Sequence, residues 1–246
     1  SVLRKKVFWS FLAKENADIV CLSEVRWAWR DAIDRRKDFL HRLRAMGYVS
    51  ITWHECQRNA GYSGVAVLSK IAPAPSANGR SPVQRGLDVL EIDREGRVIT
   101  IEFDSFVLVH AYAACSGRDF MFEEKRQTYD AAMRDHLAEW RRRGKPFIWA
   151  GDHNVARRPC DVWVRDEETA ERIPGCSKGE RSRFETILAE NSLEDAFTHI
   201  HGQATQGDDH FTWYLNSRAR SRKECLRLDY YCVSRSLLRD AGSLQG

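Results

Sequence analysis

No stretch of the 246 residues is apolar over the roughly 20 positions that span a bilayer. The opening residues, SVLRKK, do not lead into the apolar core of a secretory signal. Seven cysteines make an odd set, and none falls in a paired C-x-x-C spacing. That argues against a disulfide framework and against a structural zinc site, and it favours a reducing intracellular setting. Charge of one dominant sign is missing too: 30% of residues are charged, yet the net charge is only +4. A nucleic-acid partner therefore has to be argued from local clusters rather than from bulk basicity. No repeat, linker or low-complexity tract divides the chain, so a single domain over 1–246 is expected. Its 43% hydrophobic and 11% aromatic content suffices for a sizeable core.

What is present is a repeated change of hydrophobic period, the pattern of an α/β chain. Leu3, Val7, Phe8, Phe11 and Leu12 form a helical stripe, followed by "ADIVCLSE", a short buried-type strand that ends in Glu24. A second stripe, Ile33, Leu40, Leu43 and Met46, stops at Gly47 and gives way to "YVSITWH". Strand-like segments then dominate: "YSGVAVLS", "GLDVLEID", "RVITIEF" and "FVLVHAYA". Asp104-Ser105 reads as a tight hairpin turn and "DREG" at 93–96 as another. A long helix is predicted next, with Phe122, Tyr129, Met133, Leu137 and Trp140 on its buried face. Arg141, Arg142 and Arg143 close it at the negative end of its dipole. After the strand "FIWAGD" come a polar stretch over 157–180, a helix around Phe184, Ile187 and Leu188, and two last strands, "FTWYL" and "RLDYYCVS".

Carboxylates recur at strand ends. Asp152 and Asn154 of "GDHNVA" fall on one side by strand alternation, and His153 on the other. An isolated G-D-x-N segment reads equally well as an ordinary turn. Glu24 ends its own strand, and Asp229 sits in "RLDYY", where a carboxylate among apolar neighbours is costly without a purpose. Carboxylates converging from separate strand ends suit a hard divalent cation, which takes oxygen ligands. Asp152, Asn154 and Glu24 are therefore expected to share one concave rim.

The ordered stretches "ADIVCLSE", "GYSGVAVLSK", "GRVITIEFDSFVLVHAY", "EKRQTYDAAMRDHL", "GDHNVA" and "RLDYYCVSRSLL" cover almost the whole chain. The chain resembles the exonuclease III-type apurinic/apyrimidinic (AP) endonucleases of the endonuclease/exonuclease/phosphatase superfamily. The resemblance implies an α/β (α+β) fold, a four-layer αββα sandwich of two mainly antiparallel sheets packed face to face with helices outside. It implies Mg²⁺, with Mn²⁺ as a substitute, and double-stranded DNA containing abasic sites as substrate. The protein would be a monomer with no membrane attachment, in the nucleus or an organelle.

Residue by residue, the resemblance makes Glu24 the metal-ligand carboxylate, with Asp152 and Asn154 beside it. Tyr112 would be the phenol at the scissile phosphate, although in a strand it reads alone as a packed aromatic. Asp152 would position or deprotonate the attacking water, because Asn154 cannot accept a proton at neutral pH. Asn154 would hydrogen-bond phosphate or nucleophile, and Asp229 would orient a catalytic histidine. Arg118 matches a position that faces DNA, and Arg218, Arg220, Arg222 and Lys223 of "RARSRK" could hold phosphates in register; either could also be a solvated loop. Phe211 and Trp213 fall where the family lines the pocket for the extruded baseless sugar, with core packing the competing reading and one of the two expected to face the pocket.

Departures from the family pattern accompany the matches. The family's first strand, with its tryptophan-asparagine pair, and its last, with a serine-aspartate-histidine motif, have no counterpart in the 246 residues. Cys115 stands in place of an asparagine, and Leu226 where an aromatic often precedes the arginine. On this basis weak Mg²⁺ binding and little incision are expected of the chain. The alternatives are a retroelement-type nicking endonuclease, another phosphoesterase of the superfamily, or a non-catalytic DNA-binding descendant.

The basic run generates a salt test. Every cationic side chain withdrawn from a phosphate of duplex DNA shallows the slope of log K against log salt by about 0.9. Arg220→Ala with Arg222→Ala should therefore flatten the slope for an abasic duplex by roughly 2. An unchanged slope in fluorescence-anisotropy titrations at several salt concentrations would remove this run from the DNA interface.

Overall fold

The mixed period of the sequence becomes a mixed structure in the computed structural model, which describes residues 6–26, 33–76, 79–164, 166–202, 210–214 and 224–242. The chain forms two compact units, Ser1–Tyr112 and Ala113–Gly246.

In the first unit, α1 (Lys6–Glu15) and α2 (Ile33–Ala45) accompany the antiparallel sheet β1 (Ile19–Leu22), β3 (Val65–Ser69), β2 (Ser50–His54), in that order. Phe8, Leu12, Phe39 and Leu43 from the helices join Tyr48, Ala66 and Leu68 in one apolar cluster. The predicted α1 stripe is narrower than expected, because Val7 is 71% and Phe11 53% exposed. Positions 8 and 12 lie one helical turn apart on the covered face, whereas 7 and 11 lie on a neighbouring stripe rotated away from it. Strands β4 (Val83–Arg85), β5 (Val98–Glu102) and β6 (Val107–Tyr112) pair antiparallel in sequence order. Every residue of β3 is buried, as are Val98–Ile101 of β5 and Val107–Ala111 of β6, which explains why these segments read as continuous apolar runs. The imidazole Nδ1 of His54 bonds the Val98 carbonyl at 2.8 Å and so ties β2 to β5.

The expected strand "GLDVLEID" does not form. Leu90–Asp93 is a short helix, α3, and the Asp93 carboxylate accepts the N–H groups of Leu87 at 2.7 Å and Val89 at 3.1 Å. A side chain that satisfies two backbone donors locally competes with a ladder, and here it wins. The hairpin at Asp104-Ser105 is present, with Phe103 N–H bonded to the Phe106 carbonyl, whereas "DREG" is no hairpin: it closes α3, where Gly96 N–H bonds the Asp93 carbonyl.

In the second unit, α4 (Glu123–Arg142) buries Tyr129, Met133, Leu137 and Trp140, spaced at three and four residues. Phe122, expected on that face, is the residue before the helix and is 46% exposed. Strands β7 (Phe147–Asp152), β11 (Asp229–Ser234) and β8 (Leu193–Asp195) pair antiparallel, with β11 in the centre and Asp152 opposite Asp229. The helix α5 (Glu167–Ala170) precedes α6 (Lys178–Glu190), which buries Phe184, Ile187 and Leu188 as expected. Its start is fixed by a capping box in which Ser177 and Glu180 exchange side-chain and backbone bonds. Among the described residues of "FTWYL", Trp213–Tyr214 form a strand, β9, which pairs with β10 (Cys225–Leu226). The short β4, β8 and β10 and the helices α7 (Ala196–His201) and α8 (Arg235–Gly242) went unread, since two to eight residues are too few to display a period.

Leu137 is fully buried on α4. Leu137→Ala should destabilise by about 2–5 kcal/mol, the usual result of deleting a buried leucine side chain. The shift in urea midpoint at constant slope measures it, and a change under about 0.5 kcal/mol would mean that the site collapses around the loss.

Candidate active site

Within the first unit, Glu24 lies two residues beyond β1 in the left-handed region, with φ of 51°. Backbone bonds from Val25 to Gly64 and from Arg26 to Ser63 hold the segment against the "GYSGV" loop. Its carboxylate is shared: Oε1 accepts the Tyr112 hydroxyl at 2.5 Å, and Oε2 accepts Arg26 Nη2 at 2.8 Å. Tyr112 ends β6, and Arg97 holds it. The guanidinium lies 4.9 Å from the tyrosine ring centre and donates to the Tyr112 carbonyl at 3.1 Å, the Tyr62 hydroxyl at 3.0 Å and Glu95 at 2.7 Å. Burial works against the Arg97 charge, but Glu95 outweighs it and holds the group above its ordinary pKa. Arg97 and Tyr62 went unread as site residues; the available signal was an arginine heading the apolar run "RVITIEF".

Within the second unit, β7 ends at Asp152 and the chain reverses through Asn154, whose φ is 47°. Asp152 Oδ1 accepts the Asn154 N–H at 2.8 Å, the local bond that lets asparagine hold a left-handed position. Asn154 Nδ2 donates to the Ala113 carbonyl at 2.9 Å, and Ala113 N–H bonds the Asp152 carbonyl at 2.8 Å. The amide is thereby fixed in rotation. His153 points away as expected: it is 1% exposed, with its ring 4.1 Å from that of Trp149 and near Phe184 and Tyr230. Strand alternation gave the right direction for the wrong reason, because the strand has ended before Asn154.

Asp229 corrects a second expectation. It is exposed and is the first residue of β11 rather than a carboxylate buried within the strand. Pairing places it opposite Asp152, and Thr212 Oγ1 accepts its N–H and that of Leu228. Just before it, Arg227 donates to Asp195 at 2.7 Å and lies over the Tyr230 ring at 4.4 Å. The strand is thus entered through a buried ion pair.

The other predicted residues are more dispersed. The Arg118 side chain is 93% exposed, 3.8 Å from Asp119. Phe211 is half-buried and stacks on His210 at 4.6 Å, while Trp213 in β9 is 39% exposed. Arg218, Arg220, Arg222 and Lys223 lie outside the described residues. Among the described residues, one group with three possible metal donors of mixed type occurs, Cys160, Asp161 and His210, with ligand atoms within 4.8 Å. Its sulfur and imidazole suit a softer ion than Mg²⁺. Its carboxylate already accepts the Arg158 N–H and sits 3.6 Å from Arg227.

Residues 1–244 match the family described as the Endonuclease/Exonuclease/phosphatase family. The chain is 31% identical over 237 residues to an exodeoxyribonuclease of Bacillus subtilis (strain 168), covering 96% of this chain and 84% of the relative. It is 32% identical over 237 residues to the DNA repair nuclease APEX1 of Danio rerio, covering 95% of this chain and 69% of the relative. The solved AP endonuclease LMAP from Leishmania major superposes with a TM-score of 0.74 at 27% identity, covering 95% of this chain and 73% of that one. The fold expected from the sequence is therefore shared with a solved AP endonuclease.

The ion pair ahead of Asp229 has a pH signature. Burial works to raise the Asp195 carboxyl, but hydrogen bonds from Arg227 and Thr198 outweigh it and hold the group below its ordinary value. A lowered folded pKa adds stability that is present above the unfolded value of about 3.9 and lost as pH falls through the folded one. Asp195→Asn should therefore be less stable than wild type at pH 7, with the gap narrowing below about pH 4. Urea midpoints at both pH values test this, and a gap that does not narrow would remove Asp195 as its source.

Proposed function

From the premise that the chain belongs to the endonuclease/exonuclease/phosphatase family, we propose that it is a DNA-repair AP endonuclease hydrolysing the phosphodiester 5′ to an abasic site. The observation that carries this reading is the end of β7, where Asp152 is held by the Asn154 N–H and paired across the ladder with Asp229. Relatives named exodeoxyribonuclease and AP endonuclease match over nearly the whole chain and support the same chemistry.

The family is divalent-metal dependent, and the donors present fit a hard cation. Glu24 offers carboxylate oxygens, its side chain is 42% exposed, and it already draws the Arg26 guanidinium, a cation, to Oε2. Mg²⁺ held by the Glu24 carboxylate would offset charge on the phosphoryl oxygens and stabilise the departing 3′ oxygen.

The chain's own residues serve several of the remaining demands. Asp152 takes the proton of the attacking water. Asn154, with Nδ2 anchored to Ala113, presents Oδ1 as a fixed acceptor that orients the same water. Tyr112 is an O–H donor at the end of β6, held by Glu24 and backed by Arg97, and it offers that hydrogen bond to the phosphate. Asp229, exposed and paired across the ladder with Asp152, stands where the resemblance has the carboxylate that orients a catalytic histidine. Phe211 and Trp213 are apolar surfaces suited to a deoxyribose without its base.

Incision of a labelled duplex with one abasic analogue should be weak and should fall on the 5′ side of the analogue, leaving a 3′ hydroxyl. EDTA should abolish the reaction, and Asp152→Asn should slow it about 10²- to 10⁴-fold. Equal cutting of an intact duplex would favour the nicking-endonuclease reading, and binding without cutting the non-catalytic one.

A further inference from the structure

Arg126 lies one turn into α4 and is 1% exposed, with no predicted role. A guanidinium is rarely placed so deep unless its donors are spent on something specific. Its Nη1 reaches two carbonyls, Asn154 at 2.8 Å and Ala114 at 3.2 Å. The first belongs to the left-handed residue of the Asp152–Asn154 turn; the second follows Ala113, which the Asn154 amide grips. Behind the turn, Arg126 also belongs to a network of ion pairs. Its Nε donates to Asp130 Oδ1 at 2.8 Å, and Asp130 Oδ2 accepts Arg183 Nε from α6 at 2.8 Å. Arg183 in turn donates to Glu123 at 2.8 Å. Gly175 closes on the Asn154 carbonyl as well, so tightly that a Cβ there would lie 2.7 Å from the oxygen.

We propose that Arg126 is a positioning residue which clamps the Asn154 carbonyl and so fixes the left-handed turn presenting Asp152 and Asn154; its consequence for catalysis rests on the nuclease reading above. The clamp acts on the backbone rather than on substrate. A left-handed asparagine is one rotation away from the ordinary region, and that rotation would break both the Asp152–Asn154 bond and the anchor on Ala113. A lysine at 126 keeps the charge but has no planar fork, so it cannot hold both carbonyls and Asp130 together.

Two arms test this, and the first needs no substrate. Amide hydrogen exchange over 150–157 should quicken in Arg126→Lys and stay at the wild-type rate in Arg183→Met, which loosens the same network without touching the turn. In the second arm, incision of an abasic duplex by Arg126→Lys should lose about 10- to 100-fold in kcat at unchanged KM, with Arg183→Met near wild type. If Arg126→Lys does not fold, Gly175→Ala presses on the same carbonyl from elsewhere and should give the same pattern of exchange and kcat. Wild-type exchange in the lysine variant, or equal changes in both arginine variants, would overturn the clamp and leave a general packing role. A wild-type protein that cuts no abasic duplex would defeat the nuclease reading alone, since the exchange arm still decides the clamp.

Discussion

A backbone N–H donated to a side-chain oxygen two residues earlier lets β7 stop where it does. Asn154 gives its amide hydrogen to Asp152, and the chain turns through a left-handed residue that is not glycine. Most side chains resist that conformation; asparagine accepts it because its short polar group finds local partners. The turn leaves Asp152 and Asn154 together, sends His153 into the aromatic core beside Trp149, and keeps Asp152 opposite Asp229 on β11. Asp152 and Asn154 thereby gain fixed directions before any substrate arrives, the condition under which electrostatic groups accelerate chemistry without reorganising.

Each unit also buries charge. Arg126 with Asp130, Arg227 with Asp195 and, in the first unit, Arg97 with Glu95 are ion pairs whose side chains are all about 6% exposed or less. Such pairs contribute little net stability, because desolvation offsets much of the attraction, but losing one partner is severe. What they supply is geometry. Each arginine also donates to or stacks on something near a candidate functional residue: Arg126 on the Asn154 carbonyl, Arg97 on the Tyr112 carbonyl and ring, Arg227 on Tyr230 next to Asp229. Apolar packing could fill the same volumes but could not bind carbonyls in a set direction.

Legibility followed the length over which a signal repeats. The α4 face, the α6 face and the doubly buried β3, β5 and β6 could be read because several residues obeyed one period. "GLDVLEID" misled because its apolar residues matched a strand while Asp93 captured two backbone donors, an interaction that composition does not display. Val7 and Phe11 misled by belonging to a stripe adjacent to the covered one. Among the candidate functional residues, Glu24, Asp152, Asn154 and Asp229 could be picked out as carboxylates and an amide at strand ends, and Tyr112 through the resemblance. Arg97 and Arg126 could not, since an arginine in sequence looks the same whether it is solvated or clamping a carbonyl.

By itself the sequence determined the mixed α/β character, the family and the side chains able to carry hydrolytic chemistry, because periodicity, ordered motifs and residue chemistry are properties of neighbours along the chain. Tertiary structure alone decided which partners those side chains acquired. The Tyr112 hydroxyl meets Glu24 across 88 residues, Arg183 meets Glu123 across 60, and Arg126 reaches the Asn154 carbonyl across 28. Hydrogen bonds are short and directional, so residues far apart in sequence meet only when strand register and helix packing bring them within about 3 Å, and no local pattern encodes that distance.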